Sequence, residues 1–206
     1  MKVAVSFLTS EDICGDLLKL DKTTTDYIHV DVMDGKFVPR VNEPYERLKD
    51  INISKKLDVH LMVEEPLSYI EKYAKLNTEY ITIHHEIDKD VFSLLDNIKS
   101  LGIKCGISIN PDTSVDVLKN YLDKVDMILI MSVVPGKGGQ KFIESTTDKL
   151  DKVREMINEV NRDIVICVDG GINGDTIDKV SVADIVVSGS YILNSDNYQE
   201  KIDSLK

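Results

Sequence analysis

The sequence predicts an α/β protein folded as a closed (β/α)8 TIM-type barrel. Eight short apolar runs rich in β-branched residues recur at intervals of roughly 20 to 30 residues, each of strand length. Segments of helical spacing separate them, and strict strand–helix alternation implies a parallel sheet covered by helices. Polar side chains gather late in several runs, the end at which such barrels carry their chemistry. A doubly wound open sheet is the alternative that counting leaves open.

The runs are "KVAVSFL" from Lys2, "DYIHVDVM" from Asp26, "KLDVHLMV" from Lys56 and "EYITIHH" from Glu79. "IKCGISIN" from Ile103, "DMILIMSV" from Asp126, "DIVICVDGG" from Asp163 and "ADIVVSGS" from Ala183 complete the series. Helical spacing is clearest in "PLSYIEKYAKL", "VDVLKNYLDKV" and "STTDKLDKVREMINEV". Ser10 before "EDIC" and Asn173 before "GDTIDKV" read as helix caps. No linker or composition break divides the chain, so residues 1–206 are expected to form a single barrel domain.

A net charge of -11 argues against a nucleic-acid partner, because phosphate backbones are bound by surplus Lys and Arg. No stretch approaches a membrane span, and the N-terminal apolar run is too short for a signal peptide. Cys14, Cys105 and Cys167 form no CxxC pair, which disfavours a disulfide framework or thiolate zinc site. A reducing cytoplasm is the expected location.

The chemistry collects at the strand ends. Period-2 alternation puts His29, Asp31 and Met33 on one face of the second run and His60 with Met62 on one face of the third. Val165, Cys167 and Asp169 share a face of the seventh, and Ser6 lies late in the first. Two imidazoles and two carboxylates from three strands suit a divalent cation, which would offset the desolvation of Asp31 and Asp169. Glycine-bearing loops follow three consecutive runs: "PGKGGQ" (Gly136, Gly138, Gly139), "DGGI" (Gly170, Gly171) and "SGS" (Gly189, Ser190). Such loops let backbone amides approach an anion, and phosphate is the expected ligand. Met33, Met62 and Met131 near strand ends read either as core filling or as a polarisable cap over the site. In "ITIHHE", alternation sends His84 inward as a supporting residue and His85 outward.

Together, "HVDVMDGKFVP", "LDVHLMVEEP", "MSVVPGKGGQKF", "VDGGI" and "ADIVVSGS", in this order, closely resemble the ribulose-phosphate 3-epimerase family. The resemblance implies a barrel of the ribulose-phosphate-binding type. It implies His29, Asp31, His60 and Asp169 as metal ligands, with Asp31 and Asp169 also the catalytic acid/base pair. Ser6, His60, Met33, Met62 and Met131 would contact the substrate. Gly136, Gly138, Gly139, Gly170, Gly171, Gly189 and Ser190 would hold it and its phosphate.

The implied reaction interconverts D-ribulose 5-phosphate and D-xylulose 5-phosphate, with one divalent ion (zinc first; iron, manganese or cobalt otherwise). The partner is thus a phosphorylated ketose, and a homo-oligomer is the expected assembly. Inversion at C3 through an enediolate needs a proton removed from one face and returned to the other, which two opposed carboxylates provide. Val5, Lys36, Arg40 and Lys137 depart from the family pattern and are expected near the substrate mouth. They keep a related hexulose phosphate such as allulose 6-phosphate in view, as well as a non-catalytic sugar-phosphate-binding barrel. A metal-dependent barrel synthase or lyase is a third class, for which no residue pattern gives an independent sign.

Overall fold

The computed structural model of the chain describes residues 1–160 and 162–206. Eight parallel strands close on themselves: β1 (Lys2–Ser6), β2 (Tyr27–Asp34), β4 (Lys56–Met62), β5 (Thr78–His84), β6 (Lys104–Ile109), β7 (Met127–Met131), β8 (Val165–Asp169) and β9 (Ile185–Ser188). The β1–β2 pairing completes the ring, so the open-sheet alternative is excluded. All eight expected runs form these strands. A two-residue strand absent from the sequence reading, β3 (Val41–Asn42), pairs antiparallel with the end of β2.

Closure explains the near-continuous apolar character of the runs, since both faces of each strand are buried. Val30, Val32, Val59, Leu61, Ile81, Ile83 and Ile107 face outward into the layer between sheet and helices, fully buried. The inner face carries Ala4, Tyr27, Tyr80, Met127, Leu129, Cys167 and Val187, which fill the barrel below the site. At the N-terminal end, Tyr27 and Tyr80 meet edge to face, with ring centroids 5.8 Å apart.

The outer layer is lean. Helices Ile13–Leu20, Leu67–Tyr73, Val91–Ser100 and Thr146–Val160 follow β1, β4, β5 and β7. The expected helix at "VDVLKNYLDKV" is instead a 3-10 turn over Val115–Asn120, two of whose residues are β-branched valines that lower α-helix preference. Ser10 does not cap the first helix. Asp12 accepts the Gly15 amide at 3.0 Å, while the Ser10 hydroxyl donates to Asp16. Asn173 nucleates a turn by accepting the Asp175 amide, but the 3-10 segment Ile177–Val180 that follows has Thr176 at its cap position. No helix among the described residues is long and apolar enough to cross a membrane.

Candidate active site

Strand register assembles the site. Asp31 lies beside His60 across the β2–β4 ladder, and Ser6 beside His29 across β1–β2. Because side chains alternate, Ser6, His29, Asp31, His60 and Asp169 all point into the barrel at its C-terminal end. The ring nitrogens His29 Nε2 and His60 Nδ1 stand 3.6 and 3.8 Å from Asp31 Oδ1, and 3.9 and 3.8 Å from Asp169 Oδ2.

Neither His29 Nε2 nor His60 Nδ1 has a hydrogen-bond partner, although both are buried. An unpaired buried polar atom is costly. Here two of them converge with two carboxylates, and the four ligand atoms lie within 4.8 Å of one another. An ion about 2.0–2.2 Å from each donor sets tetrahedral donor spacings of roughly 3.3–3.6 Å, slightly inside those present. The donor set therefore fits a divalent cation.

The far side of each imidazole is also engaged. His29 donates from Nδ1 to Asp58 Oδ2 at 2.7 Å. His60 Nε2 meets His84 Nε2 at 2.8 Å, and His84 Nδ1 reaches Glu86 Oε2 at 3.1 Å. Outer carboxylates of this kind orient metal-ligating histidines. Asp58 escaped the sequence reading and Glu86, the last residue of "ITIHHE", received no role in it, although each sits two residues from a histidine on the same strand face or its continuation. For Glu86, whose partner is His84, that spacing was the available signal.

Electrostatics divides the groups. Burial raises the pKa of both carboxyls, but for Asp31 contact with His29 and His60 more than offsets this and holds it well below the usual carboxylate range. Burial pushes Asp169 up to about 7, opposed by His29 and reinforced by Asp31 and Asp58. His29 is raised well above its ordinary value, because Asp58 and Asp31 outweigh burial. His60 is lowered, chiefly by burial. Two carboxyls driven apart in this way form the pattern of an acid/base pair.

Above the cluster opens a cavity of about 660 Å³. Ser6, Met33, Met62, Met131, Asp31 and Asp169 form its floor and wall, and Ser6 Oγ donates to Asp31 Oδ2 at 2.7 Å. Gly136, Gly138, Gly139, Gly170, Gly171, Gly189 and Ser190 line its rim. His29 and His60 lie beneath the floor, so the structure brings His60 to the ligand cluster rather than to the cavity surface. The three methionines are almost fully buried yet reach the cavity, so packing and capping coexist. His85 points outward, its Nδ1 2.8 Å from the Tyr121 hydroxyl.

Of the departures, Lys137 lines the cavity and Lys36 and Arg40 are exposed. Val5 is not at the mouth: it packs outward into the core between sheet and helices, as its place between inward Ala4 and Ser6 demands.

Gly171 holds the rim where no other residue fits. Its φ is +67°, and a Cβ there would lie 2.5 Å from the backbone nitrogen of Phe142. Gly171→Ala is expected to destabilise the protein by about 1–3 kcal/mol, read as a lower urea midpoint. An unchanged midpoint would contradict the assigned backbone.

Glu86 provides a pH test. Burial would raise its pKa, but hydrogen bonds from His84, the Asn110 amide and the Thr113 hydroxyl bring it from 4.5 down to about 2. A depressed carboxyl contributes stability present above 4.5 and lost as pH falls toward 2. The urea midpoint should therefore fall less steeply across that window in Glu86→Gln than in the wild-type protein; parallel curves would refute the assignment.

Residues 2–193 match the family model described as "Ribulose-phosphate 3 epimerase family". The chain is 40% identical to a ribulose-phosphate 3-epimerase from Helicobacter pylori, covering 100% of this chain and 97% of that protein. The corresponding enzyme from Bacillus subtilis is 35% identical, with 100% and 98% covered. Among solved structures, KGPDC from Streptococcus mutans shares the barrel at a TM-score of 0.70 and 13% identity, over 99% of this chain and 94% of that one. 3-Hexulose-6-phosphate synthase from Salmonella typhimurium matches at 0.64 and 18% identity, over 100% and 96%. These two likenesses concern the fold alone. Sequence match across nearly the whole chain shows that it belongs to the ribulose-phosphate 3-epimerase family.

Proposed function

We propose that this chain interconverts D-ribulose 5-phosphate and D-xylulose 5-phosphate by two-base proton transfer at C3, acting as one cytoplasmic barrel domain over residues 1–206. The observation that carries the reading is the convergence of Asp31 and Asp169 over two buried, unpartnered imidazole nitrogens at the base of the cavity. Asp31 comes from β2 and Asp169 from β8, with β1 and β9 between them in the ring. Carboxyls on separate strands can address opposite faces of a substrate lying between them. One takes the C3 proton while the other supplies a proton to the far face, and the roles exchange for the reverse reaction.

His29, Asp31, His60 and Asp169 would hold a divalent ion, zinc being the first candidate for this mixed nitrogen and oxygen set. Such an ion supplies Lewis-acid stabilisation of negative charge on the substrate oxygens. Ser6 orients Asp31 through its hydroxyl. Met33, Met62 and Met131 keep water from the reacting carbon. The backbone amides of Gly170, Gly171, Gly189 and Ser190 lie on the rim where the phosphate would be received.

The test is incubation with ribulose 5-phosphate, following xylulose 5-phosphate. Its formation at enzymatic rates supports the reading, and its absence with every ketose phosphate supports a non-catalytic barrel. A hexulose phosphate is the second reading, kept open by the departure from the family pattern at Lys137 on the cavity wall. A higher kcat/KM on allulose 6-phosphate than on ribulose 5-phosphate would select it.

A further inference from the structure

Each of the two buried histidines has to present a bare nitrogen lone pair to the site, and a neutral imidazole has only one. For His29 the choice is made by Asp58, which accepts a hydrogen bond from Nδ1–H. His60 has no carboxylate on its far side. Its Nε2 faces another histidine nitrogen, His84 Nε2, at 2.8 Å, with the two rings edge to edge, their planes 25° apart and their centroids 4.9 Å apart. Two imidazoles facing through nitrogen can share one proton in either sense. The wrong sense leaves a proton on His60 Nδ1, aimed between Asp31 and Asp169.

Glu86 breaks the tie. Its Oε1 accepts the Asn110 amide at 2.7 Å and the Thr113 hydroxyl at 2.5 Å, and its Oε2 faces His84 Nδ1 at 3.1 Å. Three donors surround this carboxylate, so His84 carries its proton on Nδ1. A neutral imidazole carries a single proton, and in His84, whose buried ring packs against Phe37 at a centroid distance of 4.6 Å, Glu86 holds it on Nδ1. Its Nε2 is then an acceptor, His60 Nε2 must donate, and His60 Nδ1 is left bare.

We propose that Glu86, acting through His84, is a positioning residue that fixes the His60 tautomer so that Nδ1 faces the ion site. The inference rests on the metal reading given under Proposed function and extends it to residues outside the ligand set. It differs from a structural role in one respect. The same Oε1 contacts also tie the 110–113 loop to Glu86, and a Gln side chain of equal length would preserve them. The Gln amide nitrogen would then face His84 Nδ1 and donate to it. That forces His84 to Nε2–H and His60 to Nδ1–H, inverting both rings. A shorter Asp keeps an acceptor but strains the loop contacts.

The experiment uses full-length 15N-labelled protein at pH 8, freed of metal, with two-bond 1H–15N spectra of the histidines followed by Zn2+ titration against a fluorescent chelator. Wild-type protein is expected to show His84 as Nδ1–H and His60 as Nε2–H. E86Q should show both tautomers inverted, with Zn2+ affinity about 10- to 100-fold weaker. E86D should keep the wild-type tautomers and bind more tightly than E86Q. A loop-anchoring role predicts the opposite order, with E86D the worse binder. His60 as Nδ1–H in the wild type, or wild-type tautomers and affinity in E86Q, would overturn the proposal. If E86Q does not fold, the wild-type spectra alone decide. Wild-type protein that binds no Zn2+ would instead overturn the metal reading, while tautomers dependent on Glu86 would leave the relay standing.

Discussion

Asp31→Asn and Asp169→Asn are each expected to yield a folded protein whose turnover of ribulose 5-phosphate falls by at least about 10²- to 10⁴-fold, the range that positioned acid/base groups supply. Asn matches Asp in shape, and its amide oxygen can still accept the Ser6 hydroxyl that now reaches Asp31 Oδ2 at 2.7 Å. The barrel should therefore persist, with an unchanged far-ultraviolet circular dichroism spectrum. What is lost is the ability to take up a proton, together with one negative charge facing His29 and His60. Wild-type turnover in either variant would remove that carboxyl from the acid/base pair.

Removal of the ion should be as severe. A chelator is expected to abolish turnover and to lower the melting temperature, with both restored by Zn2+ or another divalent ion of this donor class. An ion present at about 100 times its Kd stabilises the folded state by about 2.7 kcal/mol. In a domain of this size that corresponds to a shift of roughly 5–11 °C. The stabilisation arises because His29 Nε2 and His60 Nδ1 have no other partner and two carboxylates, Asp31 buried and Asp169 partly so, face them. Differential scanning calorimetry with and without chelator reads it directly. Turnover and melting unaffected by thorough chelation would mean that the four side chains work without a metal.

Much of this site was legible because a closed parallel barrel makes its polar exceptions conspicuous. With Val30 and Val32 committed to the outer layer, the alternation of β2 leaves His29 and Asp31 nowhere to go but inward. The same reasoning located His60, Asp169 and Ser6, and the glycine loops followed from their places after β7, β8 and β9. Asp58 was overlooked because its role depends on register between strands. It is the direct cross-strand neighbour of His29, a pairing that no single-strand pattern reveals. Glu86 acts at one remove, through His84. Strand β3 was missed because two residues carry no periodicity, and tertiary contact decides it: the Asn42 amide donates to the Asp31 carbonyl. The 3-10 turn at Val115–Asn120 and the cap at Asp12 are competitions between local geometries a few tenths of a kcal/mol apart, below what propensity resolves.

The central claim is that two carboxyls exchange the C3 proton from opposite faces. Its most direct test is conversion of ribulose 5-phosphate in D2O, stopped at a few per cent turnover and read by mass spectrometry and NMR. Transfer between Asp31 and Asp169 predicts one deuterium at C3 in essentially all xylulose 5-phosphate formed, because the incoming proton comes from the second carboxyl and not from the substrate. Product that retains the substrate's own C3 hydrogen would point to a single base and contradict the account.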